Sequence, residues 1–128
     1  MKPASPRRRF SKSALDAIAS SRILGVRAGT DHRFTAVWVV VVHGRVFVRS
    51  WSDKAHGWYR AFLDEPRGTI HVLTRQLPVR ARKTRGELLL DAVDEAYAAK
   101  YDTKASMKWV RGFRRASRRL TTIEFVPR

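Results

Sequence analysis

The sequence predicts an α+β, mainly β domain: five or six hairpin-connected strands closing wholly or half into a small barrel, with helices outside it. Three observations predict this. Residues 34–42 and 45–51 are rich in valine and aromatics and are separated only by His43-Gly44. That spacing makes a tight hairpin in which glycine supplies positive φ. A second such pair, 68–73 and 77–83, is joined around Thr74-Arg75-Gln76. Many short strands in a chain of 128 residues favour closure, which removes exposed sheet edges.

The elements follow in order. Residues 1–10 hold two prolines and the run Arg7-Arg8-Arg9, and read as a basic flexible arm ahead of a single domain over 11–128. Ser13-x-x-Asp16 fits a capping box, and Leu15, Ile18, Ala19 and Ile23 share one face, so a helix is expected from Ser13. Residues 27–33 read as a loop punctuated by Gly29. The near-continuous run Trp38-Val39-Val40-Val41-Val42 predicts a strand covered on both faces. Trp58, Ala61, Phe62 and Glu65 recur at helical spacing, which predicts a short helix over 54–64 ended by Pro66. Thr84-x-x-Glu87 fits a second capping box and opens a longer helix, at about 85–101, whose apolar face is Leu89, Val93, Ala96 and Tyr97. Residues 107–113 are expected as one more helical piece. Residues 120–126 are expected as the last strand, with Thr121, Ile123 and Phe125 on one face.

Composition narrows the function classes. The chain is 44% hydrophobic with four tryptophans, enough for one ordinary core. Its longest apolar run, 36–42, is strand length and far short of the ~20 residues that cross a bilayer. The basic N-terminus is followed by no continuous apolar stretch of signal-peptide type. There are no cysteines, so disulfides, thiolate nucleophiles and Cys-ligated zinc are excluded, and a reducing, cytoplasmic location is expected. Lysine and arginine outnumber acids 27 to 11, a net charge of +16. Such a charge attracts polyanions: nucleic acid, an anionic membrane surface or a phosphorylated ligand. A solvated arginine-rich surface reflecting genome composition is the plainer account of part of it.

No familiar catalytic pattern is present. The serines and the four histidines (His32, His43, His56, His71) form no nucleophile elbow and no metal-ligand spacing. The carboxylates fall on expected solvated helix positions, and neither a Walker loop nor a GxGxxG occurs. What remains is a cationic, hydroxyl-bearing stretch beside the central hairpin: Arg49-Ser50-Trp51-Ser52-Asp53-Lys54, then Gly57-Trp58-Tyr59-Arg60. A strand end running into a helix start offers free N–H groups, a positive dipole end, hydroxyls and cations, the parts of a phosphate site. The aromatic residues suit a flat ring. Core anchoring by Trp51 and Trp58 is an equal alternative on these grounds.

Residues 38–63, with the hairpin Val-His-Gly-Arg-Val-Phe-Val-Arg-Ser and the Gly57-Trp58-Tyr59-Arg60 helix start, resemble the uncharacterised bacterial domain-of-unknown-function family 2255. The Ala96-Tyr97-x-x-Lys100-Tyr101 stretch and the closing Thr121-Thr122 to Pro127 resemble it too. More distantly, Lys54, Gly57, Trp58 and Tyr59 are similar to a Lys-x-x-Gly-Trp-Tyr segment of deazaflavin-dependent nitroreductases, within the pyridoxamine-phosphate-oxidase-like, FMN-binding split barrels. Residues 27–33 are similar to their phosphate loop, with Ala28 where a cation is usual and Asp31 in place of the second glycine.

That resemblance implies a split β-barrel, a phosphorylated flavin-type cofactor (FMN or deazaflavin) and oxidoreductase chemistry by hydride transfer at its ring. It assigns Lys54 as the phosphate cation, flanked by Arg49 and Ser50. Arg60 belongs to the same cationic segment, Trp58 borders the ring or anchors the helix beneath it, and Arg27 and Arg33 are further phosphate contacts. It also implies a homodimer. Two other readings stay open. One is a cofactorless interaction domain. The other is a non-specific nucleic-acid or polyanion binder using the basic ends, where residues 104–119 carry seven cations and no acid.

Overall fold

The structure is a computed structural model that describes residues 9–52, 54 and 56–128. Six strands close into an antiparallel barrel in the order β1-β2-β3-β6-β5-β4. They are β1 (Ile23–Ala28), β2 (Thr35–Val42), β3 (Arg45–Val48), β4 (Arg67–Val72), β5 (Arg75–Lys83) and β6 (Ile123–Pro127). Five helices accompany them: α1 (Lys12–Ser20), α2 (Trp58–Asp64), α3 (Glu87–Lys100), α4 (Met107–Phe113) and α5 (Ala116–Arg119). The expected barrel, with its leading helix, short helix after the central hairpin and longer helix near 85–101, is therefore present.

Two cores explain the valine-rich sequence of β2. Val37 and Val39 face the barrel interior with Leu24, Val26, Val46 and Phe125. Their neighbours Val40 and Val42 face outward, with Phe47, under Val93, Tyr97 and Tyr101 of α3 and Val110 and Phe113 of α4. A strand buried on both faces has no polar positions to alternate with apolar ones, so it reads as a continuous run. His43 and Gly44 both have positive φ (53° and 73°), the backbone of the two-residue turn their spacing predicts.

Several boundaries differ from expectation. Ile23 belongs to β1, not to the first helix. The chain turns extended at Ser21 (ψ 136°), and Leu24, Val26 and Ala28 then alternate into the core, so the first two residues of the expected 27–33 loop, Arg27 and Ala28, are strand and the rest is the connection to β2. The cap of α1 is Ser11, whose Oγ accepts from the Ala14 N–H at 3.1 Å. Ser13 instead accepts from Arg75 Nη2 at 2.6 Å. The Thr84 capping box does not form, because Thr84 continues the sheet: its N–H donates to the Thr122 carbonyl at 3.0 Å. The N-cap of α3 is Gly86, at φ 100°. β3 ends at Val48 rather than residue 51, and α2 begins at Trp58 rather than 54. The second hairpin turns at Leu73-Thr74, with Leu73 at φ 54°.

Most of the expected arm, residues 1–8, lies outside the described residues. Phe10 is buried in the barrel core, and Arg9 Nη1 donates to the His43 carbonyl at 3.3 Å, so the packed chain includes both. No helix among the described residues is long and apolar enough to cross a membrane.

Candidate functional site

The segment between β3 and α2, residues 49–57, starts deep and ends at the surface. Arg49 is fully buried. Its Nε donates to Thr122 Oγ1 (2.7 Å), Nη1 to the Phe113 carbonyl (3.1 Å) and to Asp94, and Nη2 to the Leu90 carbonyl (2.9 Å). Asp94 also pairs with Arg119, which reaches Glu87 and Asp91 at 2.9 Å each. These carboxylates hold the Arg119 guanidinium above its ordinary pKa. The Tyr97 hydroxyl accepts from the Arg49 N–H (3.0 Å) and donates to the Trp38 carbonyl (3.1 Å). Burial pushes that phenol well above its usual range. Helix α3 is thus pinned to β2 and β3 by polar contacts as well as by packing.

Outside this anchor all four tryptophans line one cleft of about 340 Å³, together with Ala36, Val37, Arg49 and Phe113. They come from separate stretches of the chain. Trp38 on β2 stacks on Tyr101, with centroids 4.1 Å apart and planes 2° from parallel. Trp51 follows β3, Trp58 opens α2 and Trp109 sits on α4. Trp51 meets Trp109 edge to face at 4.9 Å, and Arg118 lies 3.5 Å from its ring centroid. A Cβ on Gly112 would lie 2.2 Å from the Trp51 ring, so only glycine lets that indole rest against α4. Trp51 and Trp109 remain 39% and 43% exposed, leaving aromatic surface for a ligand to cover.

A cationic cleft adjoins at Trp58. It encloses about 190 Å³ and is lined by Arg27, His32, Arg33, His56 and Gly57 as well as Trp58. The Arg27 guanidinium lies 4.4 Å from the Phe34 ring centroid, and its Nε is buried with no hydrogen-bond partner among the described residues. A buried donor without an acceptor costs free energy that an anion would recover. A second cationic cleft of about 340 Å³ shares Trp51 and Trp109 with the tryptophan cleft and is lined by Lys108, Arg111, Arg115 and Arg118.

The structure separates the residues singled out from the sequence. Arg27, Arg33 and Trp58 come together at the first cationic cleft. Arg49 borders the tryptophan cleft, but four of its five N–H donors are engaged within the protein. Ser50 is buried: its N–H donates to Thr121 Oγ1 at 2.9 Å and its hydroxyl bonds the Ser52 carbonyl. Lys54 is exposed, with its carbonyl accepting from the Gly57 N–H at 2.9 Å, and Arg60 is exposed on α2. Neither is among the residues lining these clefts. Sequence reasoning passed over Trp38, Trp109, His32 and His56. The signal available for the tryptophans was their number, four in 128 residues. Among the described residues no group of three or more histidines, cysteines and carboxylates is gathered closely enough to hold a metal ion.

The model of the family described as uncharacterized protein conserved in bacteria, DUF2255, matches residues 14–125. The chain belongs to that family. This is the membership expected from residues 38–63, 96–101 and 121–127, and it covers nearly the whole barrel. A search of curated proteins finds no match.

Among solved structures, the conserved hypothetical protein Rv2991 from Mycobacterium tuberculosis is 17% identical, with a TM-score of 0.61 over all of this chain and 86% of that one. A heme binding protein from Mycobacterium smegmatis is 15% identical, with a TM-score of 0.52 over 93% of this chain. This chain spans only 52% of that protein. A FAD-binding protein from Mesorhizobium loti is 14% identical over 92% of this chain and 88% of that one, with a TM-score of 0.49. At these identities the first two likenesses establish the barrel fold.

Proposed function

We propose that this DUF2255 barrel binds a planar, phosphorylated aromatic cofactor of the flavin type, FMN or a deazaflavin. Its ring lies in the tryptophan cleft and its phosphate in the cleft of Arg27 and Arg33. One observation carries the reading. An aromatic cleft and a cationic cleft meet at Trp58, and the cationic one holds a buried arginine donor with no hydrogen-bond partner among the described residues. Trp58 and Trp51 flank the ring, excluding water from its faces. Arg27 and Arg33 neutralise the phosphate, and the unpaired Arg27 Nε acquires its acceptor. When bound, such a ring supplies hydride chemistry, so the absence of an acid–base dyad in the sequence is no obstacle to a reductase function. Arg49 acts from beneath, fixing the strand end from which Trp51 projects.

The test is a titration of the purified chain with FMN, a deazaflavin and haem, followed by visible absorption and tryptophan fluorescence quenching. The haem arm is included because a protein sharing the fold binds haem. Flavin binding that quenches tryptophan emission is expected, with Arg27→Ala weakening it by roughly tenfold or more, the worth of a charge-assisted hydrogen bond. Lys54→Ala is expected to leave it within about a factor of two, as for an exposed charge. A Soret band with no flavin binding, or a larger loss from Lys54→Ala than from Arg27→Ala, overturns the reading.

A further inference from the structure

The second cationic cleft, on α4 and α5, is not needed for a mononucleotide. Residues 104–119 contain seven cations and no acid, yet two of the arginines are matched from α3. Arg114 pairs with Glu95 at 3.6 Å, and Arg119 with Glu87, Asp91 and Asp94. Arg118 is committed to Trp51: its Nε donates to the Trp51 carbonyl at 2.9 Å and its guanidinium covers the indole. Lys108, Arg111 and Arg115 are left facing one cleft with no carboxylate partner among the described residues. Trp109 stands beside them, 43% exposed, with Lys108 Nζ 5.1 Å from its ring centroid.

Three cations with no carboxylate partner among the described residues, converging on about 340 Å³, match a group with several negative charges better than a single carboxylate. The exposed indole at the same cleft supplies a stacking face of the kind nucleobases use. We propose that this cleft binds a nucleoside diphosphate moiety, its base against Trp109 and its diphosphate across Lys108, Arg111 and Arg115. Because the cleft shares Trp51 and Trp109 with the tryptophan cleft, the moiety belongs to a separate nucleotide brought beside the ring. The nucleotide site goes beyond the flavin reading and does not depend on it.

ADP, tripolyphosphate and FMN are titrated into the full chain by calorimetry, ADP first without any flavin. ADP is expected to bind more tightly than tripolyphosphate by roughly 5–150-fold, the range for stacking one base, and Trp109→Ala is expected to abolish that preference. The exposed pair Arg111→Ala with Arg115→Ala is expected to weaken ADP by roughly tenfold or more while leaving FMN unchanged, with far-UV circular dichroism confirming the fold. ADP binding equally well with FMN present identifies a separate nucleotide. The proposal is overturned if ADP binds no better than tripolyphosphate, if the arginine replacements leave it unchanged, or if ADP displaces FMN. FMN failing to bind while ADP binds refutes only the flavin reading.

Discussion

Removing Asp94 is expected to be among the most damaging single changes to this protein, and the reason is Arg49. The Arg49 side chain is 0% exposed and that of Asp94 8% exposed. Asp94→Ala leaves the Arg49 guanidinium with Thr122, Phe113 and Leu90 as acceptors but with no countercharge. Breaking a buried pair by deleting one partner costs about 3–5 kcal/mol, because a charge is left in low dielectric. Arg119 loses less, since Glu87 and Asp91 still hold it. For a domain of 128 residues, that loss lowers the melting temperature by about 10–20 °C. Urea unfolding and thermal melts measure it directly. The pair replacement Arg49→Met with Asp94→Leu removes both charges, and is expected to be less destabilised than Asp94→Ala alone. A melting temperature for Asp94→Ala within a few degrees of the parent would refute this account. So would an Arg49→Met variant that keeps full stability but loses flavin affinity, since that would return Arg49 to the ligand.

Two other predictions follow from the same packing. Gly112→Ala places a methyl 2.2 Å from the Trp51 ring and must displace that indole. It is expected to weaken FMN binding by roughly 5–150-fold, the worth of a stacked aromatic, with a measurable change in tryptophan emission. Unaltered binding would remove Trp51 from the site. The second prediction concerns pH. Half-burial lowers the Lys100 ammonium from 10.5 to about 8, so between those values the unfolded chain binds the extra proton and stability rises with pH. Burial raises the Tyr101 phenol from 10.0 to about 12 and that of Tyr97 further. Above pH 10 the folded chain therefore keeps protons that the unfolded chain loses, and stability falls. Denaturation midpoints from pH 7 to 12 are expected to rise and then fall. Lys100→Met should remove the rise and Tyr101→Phe should blunt the fall, and a flat profile in the parent chain would contradict both assignments.

Much of the barrel is legible in the sequence because its signals are local. A two-residue turn with glycine at positive φ, a helical spacing of Trp58, Ala61 and Phe62, and a helix from 107 to 113 each depend on neighbours a few residues away. β1 was hidden because Ala19 and Ile23 sit at i, i+4 helical spacing, and the extended turn at Ser21 that separates them leaves no strong sequence mark. Thr84 and Glu87 satisfied a capping pattern, but pairing across the barrel to Thr122 outweighed it. The valine run of β2 announced burial on both faces without saying what covers each one.

The candidate site is a different kind of object. Its cationic composition, and Trp58, Arg27 and Arg33 as members, could be read along the chain. Tertiary structure alone brought four tryptophans from separate stretches of the chain to one cleft, set two cationic clefts sharing residues with it, and withdrew Arg49 and Ser50 into the protein. The physical reason is that a guanidinium or an indole has the same sequence signature whether it faces a ligand or a carboxylate. Which it faces depends on what barrel closure brings opposite it, and for Arg49 that is Asp94, 45 residues away.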